Sequence, residues 1–229
     1  MADGFFLTFE GLDGSGKSTQ LRKLAAHLEA QGLTVTVTRQ PGGTRIGDRI
    51  RGLILDSKTE HIDPMTELGL MFSDRAQCIA EVIAPALYGG NIVLCDRFTD
   101  STEAYQGGGR QLGSEVVLQM HKTMCGGLQP DLTLLLMGNF DKSLHRARRR
   151  NERNATPEGD EGRFEREDEE FHRRVYDKYR EIAARDSYRV VVIEGERPIE
   201  AIHRQITAVV DEKLRASGLL PPLPASSVR

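Results

Sequence analysis

Short uninterrupted apolar runs alternate along the chain with longer stretches of helical period, and that alternation predicts the architecture. Residues 5–9, Phe-Phe-Leu-Thr-Phe, read as a buried strand. A glycine-rich turn follows, and then Leu21, Leu24, Ala25 and Leu28 recur at three- and four-residue spacing, the stripe of a helix packed on one face. Gln31-Gly32 closes that helix, and residues 33–38 are rich in β-branched side chains, so a β-α-β unit is written at the start of the chain. Such a unit demands parallel strands joined by a right-handed crossover. Residues 92–95, 132–136 and 190–193 supply three more apolar runs without polar interruption, as strands covered on both faces do. Between them a long helix is expected over residues 64–87. Asp63 is its N-cap, Pro64 its first residue, and Met65, Leu68, Phe72, Ile79, Val82 and Leu87 its apolar stripe. The expected fold is α/β: a five-stranded parallel sheet with helices on both faces and ligand sites at the C-terminal ends of its strands.

No internal repeat divides the 229 residues, and one domain is expected over residues 1–217. Residues 151–162 hold Pro157 and two glycines without apolar periodicity, so a mobile loop is expected there. The last helix should end near Ala216, leaving the Pro- and Ser-rich residues 218–229 as a disordered tail outside the core.

Composition changes this picture only by exclusion. Hydrophobic residues make up 38% of the chain, enough for a core. Lys and Arg number 31 against 34 Asp and Glu, and a net charge of −3 gives no global field for nucleic acid or an anionic membrane. Any anion site has to be local. No run approaches the roughly 18 apolar residues of a membrane span. The opening Met1-Ala2-Asp3-Gly4 lacks the basic start of a secretory signal, so a cytoplasmic address is expected. Cys78, Cys95 and Cys125 fit neither a disulfide framework nor metal-ligand spacing and read as buried thiols.

The chemistry begins at the first turn. Gly11-Leu12-Asp13-Gly14-Ser15-Gly16-Lys17-Ser18 satisfies G-x-x-x-x-G-K-S/T between a strand and a helix, where backbone N–H groups curl around a phosphate. Lys17 is expected to neutralise the β- and γ-phosphates of a bound nucleotide, Ser18 to hold a bridging Mg²⁺, and Thr19 to extend the polar helix start. Residues 92–95 deliver Asp96-Arg97 to the same sheet edge, with Asp96 suited to Mg²⁺ and Arg97 to a second phosphate. Arg39 after the second strand and Arg51 beyond it join Arg97 in suggesting an anionic acceptor. A phosphate acceptor is already ionised at neutral pH, so its transfer chemistry needs charge neutralisation and in-line positioning more than a general base. Arg75 falls on the apolar face of its helix, where a free charge is costly, and is expected to enter a pocket beside Phe72 or Met71 and meet a base carbonyl. No Asn-Lys-x-Asp segment for reading guanine occurs.

Taken together, these blocks resemble the bacterial thymidylate kinases. The phosphate loop, Thr38-Arg39-Gln40-Pro41-Gly42-Gly43-Thr44, Asp74-Arg75-Ala76-Gln77, Asp96-Arg97-Phe98, Ala104-Tyr105-Gln106-Gly107 and Pro130-Asp131-Leu132-Thr133 occur in that family's order over roughly residues 5–210. The resemblance implies the P-loop nucleoside monophosphate kinase fold and Mg²⁺-assisted transfer from ATP to dTMP. It puts Arg75 on the thymine carbonyl, Arg39, Arg51 and Arg97 near the acceptor phosphate, and Ser101, Thr102, Tyr105 and Gln106 around the nucleotide. It also implies a homodimer, and a catalytic arginine either in the phosphate loop or in a lid at roughly residues 145–167. Here the loop position is Gly14, so a lid arginine is expected, with Arg149 or Arg153 favoured beside Asp13, Lys17 and Arg97. Three positions depart from the family: Gln40 replaces a usual glutamate, Met71 a ring that stacks on thymine, and Met137 an acid after the fourth strand. The alternatives are a nucleoside monophosphate kinase of other base preference and a nucleotide-binding regulator without turnover.

Overall fold

A computed structural model of the chain describes residues 4–59, 61–154 and 161–222, with 148 and 150–154 as backbone only. Its strands are β1 (Phe5–Glu10), β2 (Val35–Arg39), β3 (Ile92–Asp96), β4 (Leu132–Met137) and β5 (Val190–Glu194). All pair in parallel, in the order β2-β3-β1-β4-β5. The helices are α1 (Lys17–Ala30), α2 (Arg45–Leu55), α3 (Pro64–Cys78), α4 (Ala84–Tyr88), α5 (Thr99–Thr102), α6 (Ser114–Cys125), α7 (Phe140–Asn154), α8 (Glu169–Arg185) and α9 (Ile199–Ala216). The expected five-stranded parallel sheet flanked by helices is therefore present. Among the described residues no helix is long and apolar enough to cross a membrane.

Strand β1 lies at the centre, and its alternation sorts the two layers. Phe5, Leu7 and Phe9 pack with Leu21, Leu24 and Leu28 of α1 and with Ile202, Ile206, Val210 and Leu214 of α9. On the opposite face Phe6 packs with Cys78, Ile83, Val93 and Phe98, and the same side carries Thr8 and Glu10. Register sets Phe9 and Arg39 on either side of Asp96, so β1, β2 and β3 end level at one edge. Ligands of open parallel sheets bind outside such an edge, where the strand order reverses direction.

Three expectations need correction. The helix over residues 64–87 is broken: α3 is capped by Asp63, whose side chain accepts from the Met65 and Thr66 N–H groups, but residues 79–83 form a π turn before α4. Pro85 has no N–H to donate and its ring crowds the carbonyl four residues back, so the ladder widens there. The widened turn brings Ile83 into the core, leaving Val82 only half-buried, while Met65 at the first turn is exposed. The loop expected at 151–162 starts later, because α7 runs on to Asn154; residues 155–160 of that expectation lie outside the described residues. The tail does not start at 218. Leu219 and Leu220 N–H groups donate to the Leu214 carbonyl and Leu220 joins the α1–α9 core, while 223–229 lie outside the described residues.

Candidate active site

Helix α1 starts at Lys17 with Gly16 in the left-handed region at its N-cap and no side chain capping it, so its first N–H groups face the concavity of the loop. Lys17 is buried, and its Nζ donates to the Gly11 and Leu12 carbonyls at 2.9 Å each. Burial first, and the Arg97 guanidinium second, push its ammonium down to about 8. Ser18 Oγ donates to Asp96 Oδ2 at 2.9 Å. A hydroxyl and a carboxylate converging at a helix N-terminus fit Mg²⁺, which takes few protein oxygens and completes its shell with water and phosphate. Asp13, Gly14, Gly16, Lys17, Ser18 and Thr19 line the cleft, whereas Gly11, Leu12 and Ser15 form the back of the loop.

No side chain fits at Gly14. Its φ is +76°, and a Cβ would stand 2.5 Å from the Ser143 carbonyl oxygen and 2.9 Å from the Ala147 nitrogen, because α7 rests on the loop. The same helix delivers a cation from above: Arg146 Nε donates to the Gly14 carbonyl at 2.9 Å, and Arg146 lines the cleft. Arg149, nearly one turn further on, is exposed and away from the cleft lining, and the side chain of Arg153 lies outside the described residues.

Arg97 joins the loop to the opposite wall. Its Nη1 donates to the Gly11 carbonyl (3.1 Å), Ser101 Oγ (3.0 Å) and Tyr179 OH (3.2 Å), and its Nη2 to Asp13 Oδ1 (2.8 Å) and Tyr105 OH (3.4 Å). Burial works against its charge, but Asp13, Tyr105 and Tyr179 outweigh it and hold the guanidinium well above the ordinary range. Its φ of +71° is a conformation that costs a non-glycine residue about 1–3 kcal/mol, as residues held for function often do.

Beneath Arg97 lies Glu10, a buried carboxyl that accepts from the Phe98 N–H, Ser101 Oγ and Tyr179 OH. Burial, with Asp100 adding to it, raises Glu10 from 4.5 to about 7. The folded chain thus binds this proton more tightly than the unfolded one. Stability from this group is complete below 4.5 and declines as pH rises toward 7. Glu10→Gln should flatten that decline and stabilise the protein at about pH 8, on the order of 1–3 kcal/mol. Parallel melting-temperature profiles for variant and parent across this range would refute the assignment.

The opposite end of the cleft is built from β2, α2, α3 and α5. Arg39 and Arg51 line the cleft; Arg39 Nη2 donates to Asp48 Oδ1, and Arg51 makes a two-point contact with Glu161 while donating to the Pro41 carbonyl. Arg75 is buried: Nε donates to Gln40 Oε1 (2.6 Å), Nη2 to the Phe98 carbonyl and Thr102 Oγ1, and Nη1 has no partner. Gln40 thus fixes the arginine. Phe72 does not line the cleft. It packs with Leu68, Val117 and Cys125, and the Arg75 guanidinium lies 4.9 Å from its ring centre, so the side chain lining the cleft is Met71. Ser101 and Thr102 come from α5, and Tyr105 and Gln106 from a π-helical segment, Glu103–Gly109. That segment lies close under α8, and a Cβ on Gly109 would fall 2.5 Å from the Phe171 ring.

These walls enclose a cleft of about 1080 Å³. Its volume is slightly above the usual range of about 300–1,000 Å³ for small-molecule sites. One end offers backbone N–H groups and Lys17, the other offers guanidinium groups, and Arg97 lies between them. Sequence reasoning missed Glu10, Tyr179, Glu67 and Phe164. Glu10 alone left a local signal, a carboxylate ending a buried strand just before the first loop glycine.

A family model described as thymidylate kinase matches residues 9–206. The thymidylate kinase of Pelobacter propionicus is 47% identical over 207 residues, covering 90% of this chain and 94% of that protein. The thymidylate kinase of Solidesulfovibrio magneticus is also 47% identical, covering 91% of this chain and 100% of that protein. Among solved structures, thymidylate kinase from Ehrlichia chaffeensis is similar with a TM-score of 0.73 at 31% identity, covering 91% of this chain and 99% of that one.

Proposed function

The chain belongs to the thymidylate kinase family, and its reaction is phosphoryl transfer from ATP to dTMP, giving dTDP and ADP; we propose how the residues of this cleft divide that task. The triphosphate of ATP lies in the loop at the N-terminus of α1, with Lys17 at the β- and γ-phosphates. Ser18 and Asp96 would hold Mg²⁺, which would offset negative charge on the triphosphate. Arg146 reaches the same phosphates from α7. Arg39, Arg51 and Arg97 hold the phosphate of dTMP in line with the donor. One observation carries this reading. The Arg97 guanidinium touches Gly11 and Asp13 of the loop and Ser101 and Tyr105 of the opposite wall, so donor and acceptor sites lie within one side chain's reach.

Base selection follows from two orphaned atoms. Arg75 Nη1 is a donor and Gln106 Oε1 an acceptor, each buried without a partner on a residue that lines the cleft. Leaving such groups unpaired costs about 1–3 kcal/mol apiece. Thymine meets both, with O4 accepting from Arg75 and N3–H donating to Gln106. Met71 offers an apolar surface to the ring in place of an aromatic one. No observation favours a regulatory binder without turnover. A homodimer and a cytoplasmic address belong to the same proposal.

The test compares dTMP with 5-methyl-dCMP, which differs only in carrying a 4-amino group and an accepting N3. With ATP as donor, kcat/KM should favour dTMP by at least about 100-fold, since a site built on hydrogen bonds rejects a mismatched edge strongly. Comparable turnover of the two, or of AMP or dGMP, would sink the base reading while leaving the phosphoryl transfer untouched.

A further inference from the structure

Helix α3 carries a carboxylate that the transfer chemistry does not use. Glu67 is fully buried, and each of its assigned partners is a donor. Its Oε1 accepts from Gln106 Nε2 at 2.8 Å and from Arg110 Nε at 3.2 Å; its Oε2 accepts from Arg110 Nη2 at 3.2 Å and from Arg163 Nη2. We propose that Glu67 is a positioning residue that fixes which end of the Gln106 amide faces the acceptor base, and so sets the preference for a 4-oxo over a 4-amino pyrimidine. The inference rests on the reading that Gln106 and Arg75 contact the base edge.

An amide's two ends are nearly alike in shape, so packing alone does not choose between them. A carboxylate pressed by two guanidinium groups does. Arginine can only donate, which leaves Glu67 as pure acceptor, and Gln106 has to turn its NH₂ toward it. The reversed amide would set oxygen against oxygen in a buried site and leave its own NH₂ without that bond. With Nε2 engaged, Oε1 is the end left without a partner, and Arg75 Nη1 is a second buried atom without a partner, a donor on another residue that lines the same cleft. That donor–acceptor pair matches O4 and N3–H of thymine. A cytosine ring presents its amino donor to the arginine and its bare N3 to the Gln106 oxygen, a mismatch at both points. Glutamine at position 67 both donates and accepts, so it would tolerate either amide orientation and release the constraint.

Glu67→Gln should therefore lower the ratio of kcat/KM for dTMP over 5-methyl-dCMP by about tenfold or more, through the acceptor KM values, with the KM for ATP unchanged. A merely structural carboxylate would depress both acceptors alike. A folded Glu67→Gln protein with the parent ratio overturns the proposal. Gln106→Leu separates the two levels: if it lowers the ratio while Glu67→Gln does not, only the role of Glu67 fails, and if it leaves the ratio intact the base reading fails as well. Should the single variant not fold, Glu67→Gln with Arg110→Gln removes one charge of each sign from the pair and carries the same expectation. The unsubstituted protein with dTMP bound supplies a check free of variants. Its crystal structure should show Gln106 bridging Glu67 and thymine N3, and a Gln106 turned away from Glu67 overturns the proposal.

Discussion

Lys17→Met should lower kcat by about 10³-fold at saturating ATP and dTMP while leaving the ligand-free protein no less stable. Loss of a single preorganised donor at a centre of developing charge costs about 10²–10³, and Lys17 adds a full charge to its hydrogen bonds. The stability half of the expectation comes from its surroundings. Burial and Arg97 push the ammonium down to about 8, so the empty loop holds a charge that its environment opposes. For a lysine the sign is clear: the folded state binds this proton more weakly than the unfolded chain. At neutral pH the charge therefore costs stability, on the order of 1–3 kcal/mol. Methionine keeps the stem. The two carbonyls that lose Nζ retain other donors, Arg97 Nη1 at Gly11 and the Ser15 N–H at Leu12. Melting temperatures should be equal or higher without ligand, and the gain on adding ATP should shrink. Near-normal turnover would refute the role of Lys17, and a large fall in ligand-free stability would refute the account of its burial.

Much of this was legible in the sequence, and the limits have physical causes. Strands buried on both faces announce themselves as apolar runs, and the phosphate loop is a local object whose glycines, lysine and serine act within eight positions. Asp96 and Arg97 could be found because parallel strands deliver their C-terminal ends to one edge. Phe72 against Met71 could not be decided, because the two are adjacent on α3 and only the packing of Val117 and Cys125 against Phe72 turns Met71 to the cleft. The choice among lid arginines depended on the seating of α7 on Gly14, a contact between residues more than a hundred positions apart. The cluster around Glu67 is less legible still. Gln106 and Arg110 reach it from one π-helical segment and its C-cap and Arg163 from beyond residue 160, and no sequence pattern ties either to α3.

Arg97→Lys should cost about 10²–10³ in kcat/KM for dTMP, together with about 1–3 kcal/mol of stability. Both losses trace to the geometry of the guanidinium. Its two terminal nitrogens carry four N–H groups, yet five protein oxygens share them: the Gly11 carbonyl, Ser101, Tyr179, Asp13 and Tyr105. Oversubscribed bonds are individually weak, so an arriving phosphate can take some of those positions at little cost and gain a charge-assisted pair in return. An ammonium has three donors at one point. It can keep Asp13 or reach Ser101 but cannot span the gap between them, and the plane that lies 5.1 Å from the Tyr105 ring centre is lost. The strained backbone at φ +71° remains without the contacts that offset it. Because Arg97 touches both halves of the cleft, kcat and the KM for dTMP should change together, whereas the KM for ATP, set by the loop and Lys17, should move much less. Steady-state kinetics with each substrate varied in turn distinguishes these effects. Unchanged constants for dTMP in a folded Arg97→Lys protein would remove Arg97 from the acceptor site and, with it, the bridge on which the in-line arrangement of the two nucleotides rests.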